Sequence, residues 1–335
     1  MAPVSPSQSP SARRASPELS IIVPMFNEES GVQPLFAALT PVLSRLGLTY
    51  EIVCVDDGSR DGTVHALLAA RAGDDHIKVV SLARNFGKEA ALTAGLAYAS
   101  GRAVIPLDAD LQDPPEVIPE LVRSWREGAE VVLARRRSRA SDTALKRLTS
   151  RLFYWSFNRL SEVPIPTDVG DFQLLDRKVV NALLALPERN RVMKGLFSWV
   201  GFKRVEISYD RAPRRSGSTK WNYRRLAGLA FDAIAAHSRI PLRVASYFGA
   251  VVSLFALLYA GFLVALVLTE GRDVPGYASI MVAVLFLGGV QLVTIGIMGE
   301  YLGRVYDEVK QRPLYIAREA IGFEPAEASD GATHL

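Results

Sequence analysis

Along residues 19–133, short apolar runs alternate with segments whose apolar positions recur at helical spacing. The runs Leu19–Val23, Glu51–Val55, Lys78–Leu82, Ala103–Leu107 and Glu130–Leu133 read as strands, and Pro34–Leu46, Thr63–Arg71 and Lys88–Ala99 as the helices between the first four. Strands that are apolar on both faces and separated by helices predict an α/β unit, a mostly parallel sheet with helices on each side. In such a sheet, ligands bind beyond the carboxyl ends of the strands.

After residue 240 the pattern changes. Val244–Thr269 is a 26-residue run without a charge, and Gly276–Gly299 a second run of 24, separated by the polar break Glu270–Pro275. The first would span roughly 39 Å as a helix, against about 30 Å of hydrocarbon, so the pair predicts a transmembrane hairpin. Arg239 and Arg243 precede it and Arg304, Lys310 and Arg312 follow it, which places both ends, and the large N-terminal domain, on the cytoplasmic side of the inner membrane. Leu226, Leu229, Ala230, Ala233 and Ile234 predict an amphipathic helix ending near Pro241, lying on the membrane or packed on the soluble domain. The expected organisation is therefore a disordered tail (1–18), an α/β domain (19–221), a juxtamembrane helix (222–243), the hairpin (244–299) and a cytoplasmic tail (300–335). Gly288, Gly289, Gly296 and Gly299 would allow close helix packing, as in a homo-oligomer.

Net charge is only +4, yet the basic residues cluster at 135–139, 146–151 and 211–225, which suits phosphates or anionic lipid. These clusters lack the interleaved aromatics of a nucleic-acid surface, so no nucleic-acid partner is expected. The single cysteine, Cys54, sits inside an apolar run and excludes a disulfide framework or thiolate metal site.

The chemistry gathers at the strand ends. The first four strands run into Pro24-Met25-Phe26-Asn27-Glu28, Asp56-Asp57-Gly58, Arg84-Asn85-Phe86-Gly87-Lys88 and Asp108-Ala109-Asp110-Leu111-Gln112. Asp56 and Asp61 also read as caps of the turn and helix that follow. No dinucleotide glycine pattern or phosphate-binding P-loop follows any strand. Asp108 and Asp110, two residues apart just past a buried strand, suit a hard divalent ion, Mg²⁺ or Mn²⁺, shared with substrate phosphates.

Together with Gly170-Asp171-Phe172, Pro187-Glu188-Arg189-Asn190-Arg191 and Arg215-Ser216-Gly217-Ser218-Thr219-Lys220-Trp221, these motifs resemble glycosyltransferase family 2, and within it the polyisoprenyl-phosphate glycosyltransferases. The match covers nearly all of residues 19–225. The resemblance implies the GT-A (Rossmann-like) nucleotide-sugar fold with a C-terminal two-helix membrane hairpin. It implies a nucleotide-sugar site at Pro24, Asn27, Glu28, Asp57, Asp108 and Gln112, with metal at Asp108 and Asp110. It assigns Asp110 and Asp171 to catalysis, and Arg135, Arg136, Arg147, Ser150, Arg215 and Lys220 to the acceptor phosphate. The implied reaction is inverting, metal-dependent transfer from a UDP- or GDP-sugar to a polyisoprenyl phosphate. The rivals are a processive polysaccharide synthase, which would carry a Gln-x-x-Arg-Trp motif and more spans, and a non-catalytic membrane scaffold, against which the intact acidic motifs argue.

Overall fold

The computed structural model describes residues 16–136, 169–189, 191, 193–209, 240–270 and 276–323. Its centre is an eight-stranded sheet in the order β7-β5-β6-β4-β1-β2-β3-β8. The strands are β1 (Leu19–Met25), β2 (Tyr50–Asp56), β3 (Ile77–Leu82), β4 (Ala103–Pro106), β5 (Val131–Arg136), β6 (Val169–Asp176), β7 (Arg204–Tyr209) and β8 (Ala317–Ile321). The parallel core falls where the apolar runs place it, and α1 (Val32–Arg45), α2 (Thr63–Gly73) and α3 (Lys88–Tyr98) lie between its strands. Further along are α4 (Ile118–Arg126), α5 (Arg177–Ala185) and α6 (Met193–Trp199).

Two strands depart from the parallel expectation. β6 runs antiparallel to both β4 and β5, and β8 antiparallel to β3. The reversal of β6 matters for the site: its first residues, not its last, lie at the sheet edge where β1 to β4 end.

Apolar side chains fill both faces of the sheet. Ile21, Val23, Ile52, Cys54 and Leu174 pack under α1 and α4, while Ile22, Val104 and Leu175 pack under α3 and α5, Val180 being α5's own contribution. Helix α3 lies so close to β1 that a Cβ on Gly95 would sit 2.1 Å from Ile22 Cγ2. At the edge away from the site, the buried Glu51 accepts from Ser20 Oγ at 2.5 Å, Lys78 Nζ at 2.6 Å and Ser100 N at 2.6 Å. Burial raises the Glu51 pKa, but these donors outweigh it and hold the carboxyl below its ordinary value.

The apolar runs form two long helices, α7 (Ile240–Glu270) and α8 (Tyr277–Val309). Pro241 is the second described residue of α7, and the juxtamembrane helix expected to end near it lies outside the described residues. α8 runs ten residues past Gly299, carried by helix-forming side chains and an i,i+4 pair of Glu300 and Arg304 at 3.2 Å. Among the described residues, Val282–Val309 is long and apolar enough to cross a membrane, and Tyr247–Ala256 of α7 is a shorter apolar stretch. Large apolar side chains on both helices, such as Phe255, Phe262, Phe286 and Leu292, face outward. The segment expected as a tail instead returns to the sheet: Tyr315, Ala317 and Phe323 pack on Val53, Val80 and Leu82. At the other end, Glu18, expected in the disordered tail, donates its N–H to Thr49 O at 2.9 Å. The juxtamembrane segment 222–239 and the break 271–275 lie outside the described residues.

Candidate active site

Each strand end contributes one piece of a single cleft. Asp57 follows β2 and is buried. Its Oδ1 accepts from Phe86 N at 2.7 Å and its Oδ2 from Gly87 N at 2.9 Å, so this carboxylate clasps the loop between β3 and α3. Burial lifts its pKa above the ordinary value against the pull of those two amides. Gly58 makes the clasp possible, since a Cβ there would lie 2.4 Å from the Arg84 carbonyl carbon. The neighbouring Asp56 accepts from Ser59 N at 3.1 Å and Asp61 from Thr63 N at 3.1 Å, the capping roles their positions allow.

The β1 and β2 loops are laced together. Asn27 has left-handed backbone (φ 54). It donates its N–H to Ser59 Oγ at 2.9 Å and accepts from Arg60 N at 2.9 Å. After β4, Asp110 Oδ1 accepts from Gln112 N at 3.1 Å. Leu111 between them has φ 52, a conformation that a branched side chain resists and that its surroundings must enforce. The loop is pinned further on, where the Tyr209 hydroxyl donates to the buried Asp113 carboxylate.

Lys88 joins the pieces. It is the first residue of α3, and its ammonium lies 2.7 Å from Asp108 Oδ1, 3.0 Å from Asp108 Oδ2 and 2.8 Å from Asp171 Oδ2. The cleft strips water from the ammonium, which lowers its pKa, but Asp108 and Asp171 outweigh this and hold it above the ordinary lysine value. Asp171 is the third residue of the reversed strand β6, which is how it reaches this edge.

The cleft measures about 400 Å³ and is lined by Pro24, Glu28, Asp57, Asp108 and Asp110 among the expected site residues, and by Asn85, Gly87 and Lys88 of the third strand-end motif, which carried no individual role. Asn27 and Gln112 are not among its lining residues: Asn27 ties the β1 and β2 loops, and the Gln112 N–H closes the turn at Asp110. Gln112 Nε2 is buried and has no partner among the described residues. Arg135 points elsewhere, to Glu206 Oε2 at 3.2 Å. The side chain of Arg136 and the residues Arg147, Ser150, Arg215 and Lys220 lie outside the described residues.

Among the described residues, no group of three His, Cys, Asp or Glu side chains forms a metal cage. Asp108 and Asp110 are hard oxygen donors, and a Mg²⁺ or Mn²⁺ ion is commonly held by one or two carboxylates with water and substrate phosphate completing the shell. The pair fits such an ion on those terms.

A motif that sequence reading left without a role lies at the foot of α8. Glu308 accepts from Arg189 N at 3.1 Å, the Arg189 side chain donates to Arg312 O, and Arg191 donates to Leu186 O at 2.6 Å. Arg189 thus braces this domain against the end of the helix, while Arg191 holds the turn of its own segment.

An α/β sheet with acidic loops at one edge and an apolar helical pair at its C-terminus is the frame of this chain, which belongs to glycosyltransferase family 2. The model named Glycosyl transferase family 2 matches residues 20–184, and the GtrB C-terminal hairpin matches residues 240–305. Among relatives, an uncharacterized glycosyltransferase of Synechocystis sp. is 55% identical over 92% of this chain and 96% of its own length. The SfII prophage-derived bactoprenol glucosyl transferase of Shigella flexneri is 45% identical over 90% of this chain and 98% of its own. A solved structure of glucosyl-3-phosphoglycerate synthase from Mycobacterium tuberculosis, with Mn²⁺, UDP-glucose and phosphoglyceric acid, is 22% identical over 66% of this chain and 78% of that one, with a TM-score of 0.44. The chain is a glycosyltransferase with a mixed-sheet α/β fold.

Proposed function

We propose that this enzyme transfers a sugar from a UDP- or GDP-linked donor to a polyisoprenyl phosphate at the cytoplasmic face of the inner membrane, inverting the anomeric carbon. The observation that carries this reading is the convergence of Asp57, Asp108 and Asp110 on one cleft, with Asp171 tied to its edge through Lys88. The bactoprenol glucosyl transferases among the relatives, matched along nearly their whole length, support a lipid phosphate acceptor. The outward apolar faces of α7 and α8 support two membrane spans and a cleft held near headgroup depth.

On this reading Pro24 and Glu28 flank the nucleoside, and Asp57 contacts the base with the lone pairs its amide donors leave over. Asp108 and Asp110 would hold a Mg²⁺ or Mn²⁺ ion, which supplies charge neutralisation to the diphosphate leaving group. The acceptor phosphate oxygen forms the new bond to the anomeric carbon as the bond to the diphosphate breaks, and the electron pair leaves with the diphosphate oxygen. A phosphate is already ionised near neutral pH, so Asp171 orients the acceptor or sugar and need not remove a proton. Arg147 and Ser150, with Arg136, Arg215 and Lys220, are assigned to the acceptor phosphate, which arginine's planar fork pairs through two oxygens. Most of the rate enhancement is positioning and electrostatics.

The test is Asp110→Asn in the full chain, followed by nucleotide release with and without polyprenyl phosphate across a Mg²⁺ titration. Transfer is expected to fall about 100-fold or more, the scale of one lost transition-state contact. Transfer that survives with normal metal dependence removes Asp110 from its assigned role. Arg147→Ala should raise the KM for the lipid phosphate and spare donor binding, whereas equal loss of both marks a structural residue.

A further inference from the structure

The cleft is strongly unbalanced in charge. Among the described residues that line it, Glu28, Asp57, Asp108 and Asp110 are acidic, and Lys88 is the one cation. The Lys88 ammonium straddles Asp108, within hydrogen-bond distance of both of its oxygens, at 2.7 and 3.0 Å. A divalent ion needs one of those same oxygens, and two cations on one carboxylate repel each other steeply at such range. The lysine is built to move. Its side chain is 46% exposed, and an ammonium on a four-carbon stem makes no directional fork that would lock it in place. Its base is fixed, because Asp57 clasps the two residues before it. Asp171, 2.8 Å from the ammonium, offers a second anchor once Asp108 is given up.

We propose that Lys88 is the internal counter-ion of the donor site: in the donor-free enzyme it holds Asp108 in place of the divalent cation, and when the cation arrives with the donor it leaves Asp108 for a diphosphate oxygen. The proposal rests on the reading of Asp108 and Asp110 as cation ligands. Lys88 then contributes with opposite signs at two stages, opposing the bare cation and favouring the cation with nucleotide. A lysine that merely supported the loop would act with the same sign at both.

The experiment is Mn²⁺ binding to the detergent-solubilised full chain, followed by paramagnetic resonance of the free ion, and then UDP binding at saturating Mn²⁺. Lys88→Met and Lys88→Gln are expected to bind Mn²⁺ alone about fivefold more tightly, the scale of a partly exposed ion pair. The same variants should bind UDP with Mn²⁺ more weakly by a similar factor. Unchanged or weaker Mn²⁺ binding in both neutral variants overturns the proposal, provided the wild type binds Mn²⁺ and Asp110→Asn does not. If the wild type binds no Mn²⁺ with or without UDP, or Asp110→Asn binds it normally, the cation reading fails and the proposal falls with it.

Discussion

Asp57 illustrates how one carboxylate can hold the scaffold and line the cleft. Its two oxygens receive the amides of Phe86 and Gly87, so Asp57→Ala would orphan two donors and loosen the loop that presents Lys88. Hydrogen exchange of the segment 84–90 should accelerate and the donor KM should rise about tenfold, the cost of one charge-assisted contact. Unchanged exchange would mean that the clasp does not hold the loop. Glu51, at the opposite edge of the sheet, separates stability from function. Glu51→Gln leaves Lys78 without its partner and should cost about 1–3 kcal/mol in denaturation, with donor affinity intact. Because the folded pKa is depressed, the stabilisation is present in full above the ordinary value of 4.5 and fades as the pH falls through the lower value of the folded protein. A wild-type advantage that persists unchanged into strong acid would contradict the assignment. Asp57, Asp108 and Asp110 were legible in the sequence because each directly follows an apolar strand. Lys88 was legible as part of the third strand-end motif, but its pairing was not, because its partners lie 20 and 83 residues away and meet it only through the sheet order.

The elements show the same division. The parallel strands could be read because both of their faces are buried, which leaves an unbroken apolar run. β7, with Arg204, Glu206 and Ser208 alternating against Val205, Ile207 and Tyr209, and β8, with Arg318 and Glu319 at its middle, lie at the two ends of the sheet order. Their pairing comes from tertiary context that a local pattern does not carry. β8 makes the sharper prediction. It pairs with β3 from Val79 to Leu82, and Arg318 donates to Ala83 O at 2.9 Å, just before the donor-site loop. Truncation after Pro313 should therefore lower the melting temperature of the catalytic domain and expose the β3 edge to aggregation. A truncated chain that melts like the wild type would return residues 314–335 to the status of a tail.

Across the whole molecule, the sheet edge that carries the acidic cleft and the foot of α8 are joined by short connections. Arg189 holds Glu308 and Arg312, and β8 follows within a few residues to pair beside the β3 loop. A domain braced in this way to its apolar C-terminal helices suits the proposed acceptor, whose phosphate sits at the headgroup level. The most direct measurement of the central claim is transfer of radiolabel by the purified full chain in liposomes containing polyprenyl phosphate, across a panel of UDP- and GDP-sugars with Mg²⁺. The expected result is label from one donor moving into the organic phase, dependent on the lipid phosphate and absent with Asp110→Asn. Label that stays in water with every donor, or that reaches the lipid equally well with Asp110→Asn, would contradict it.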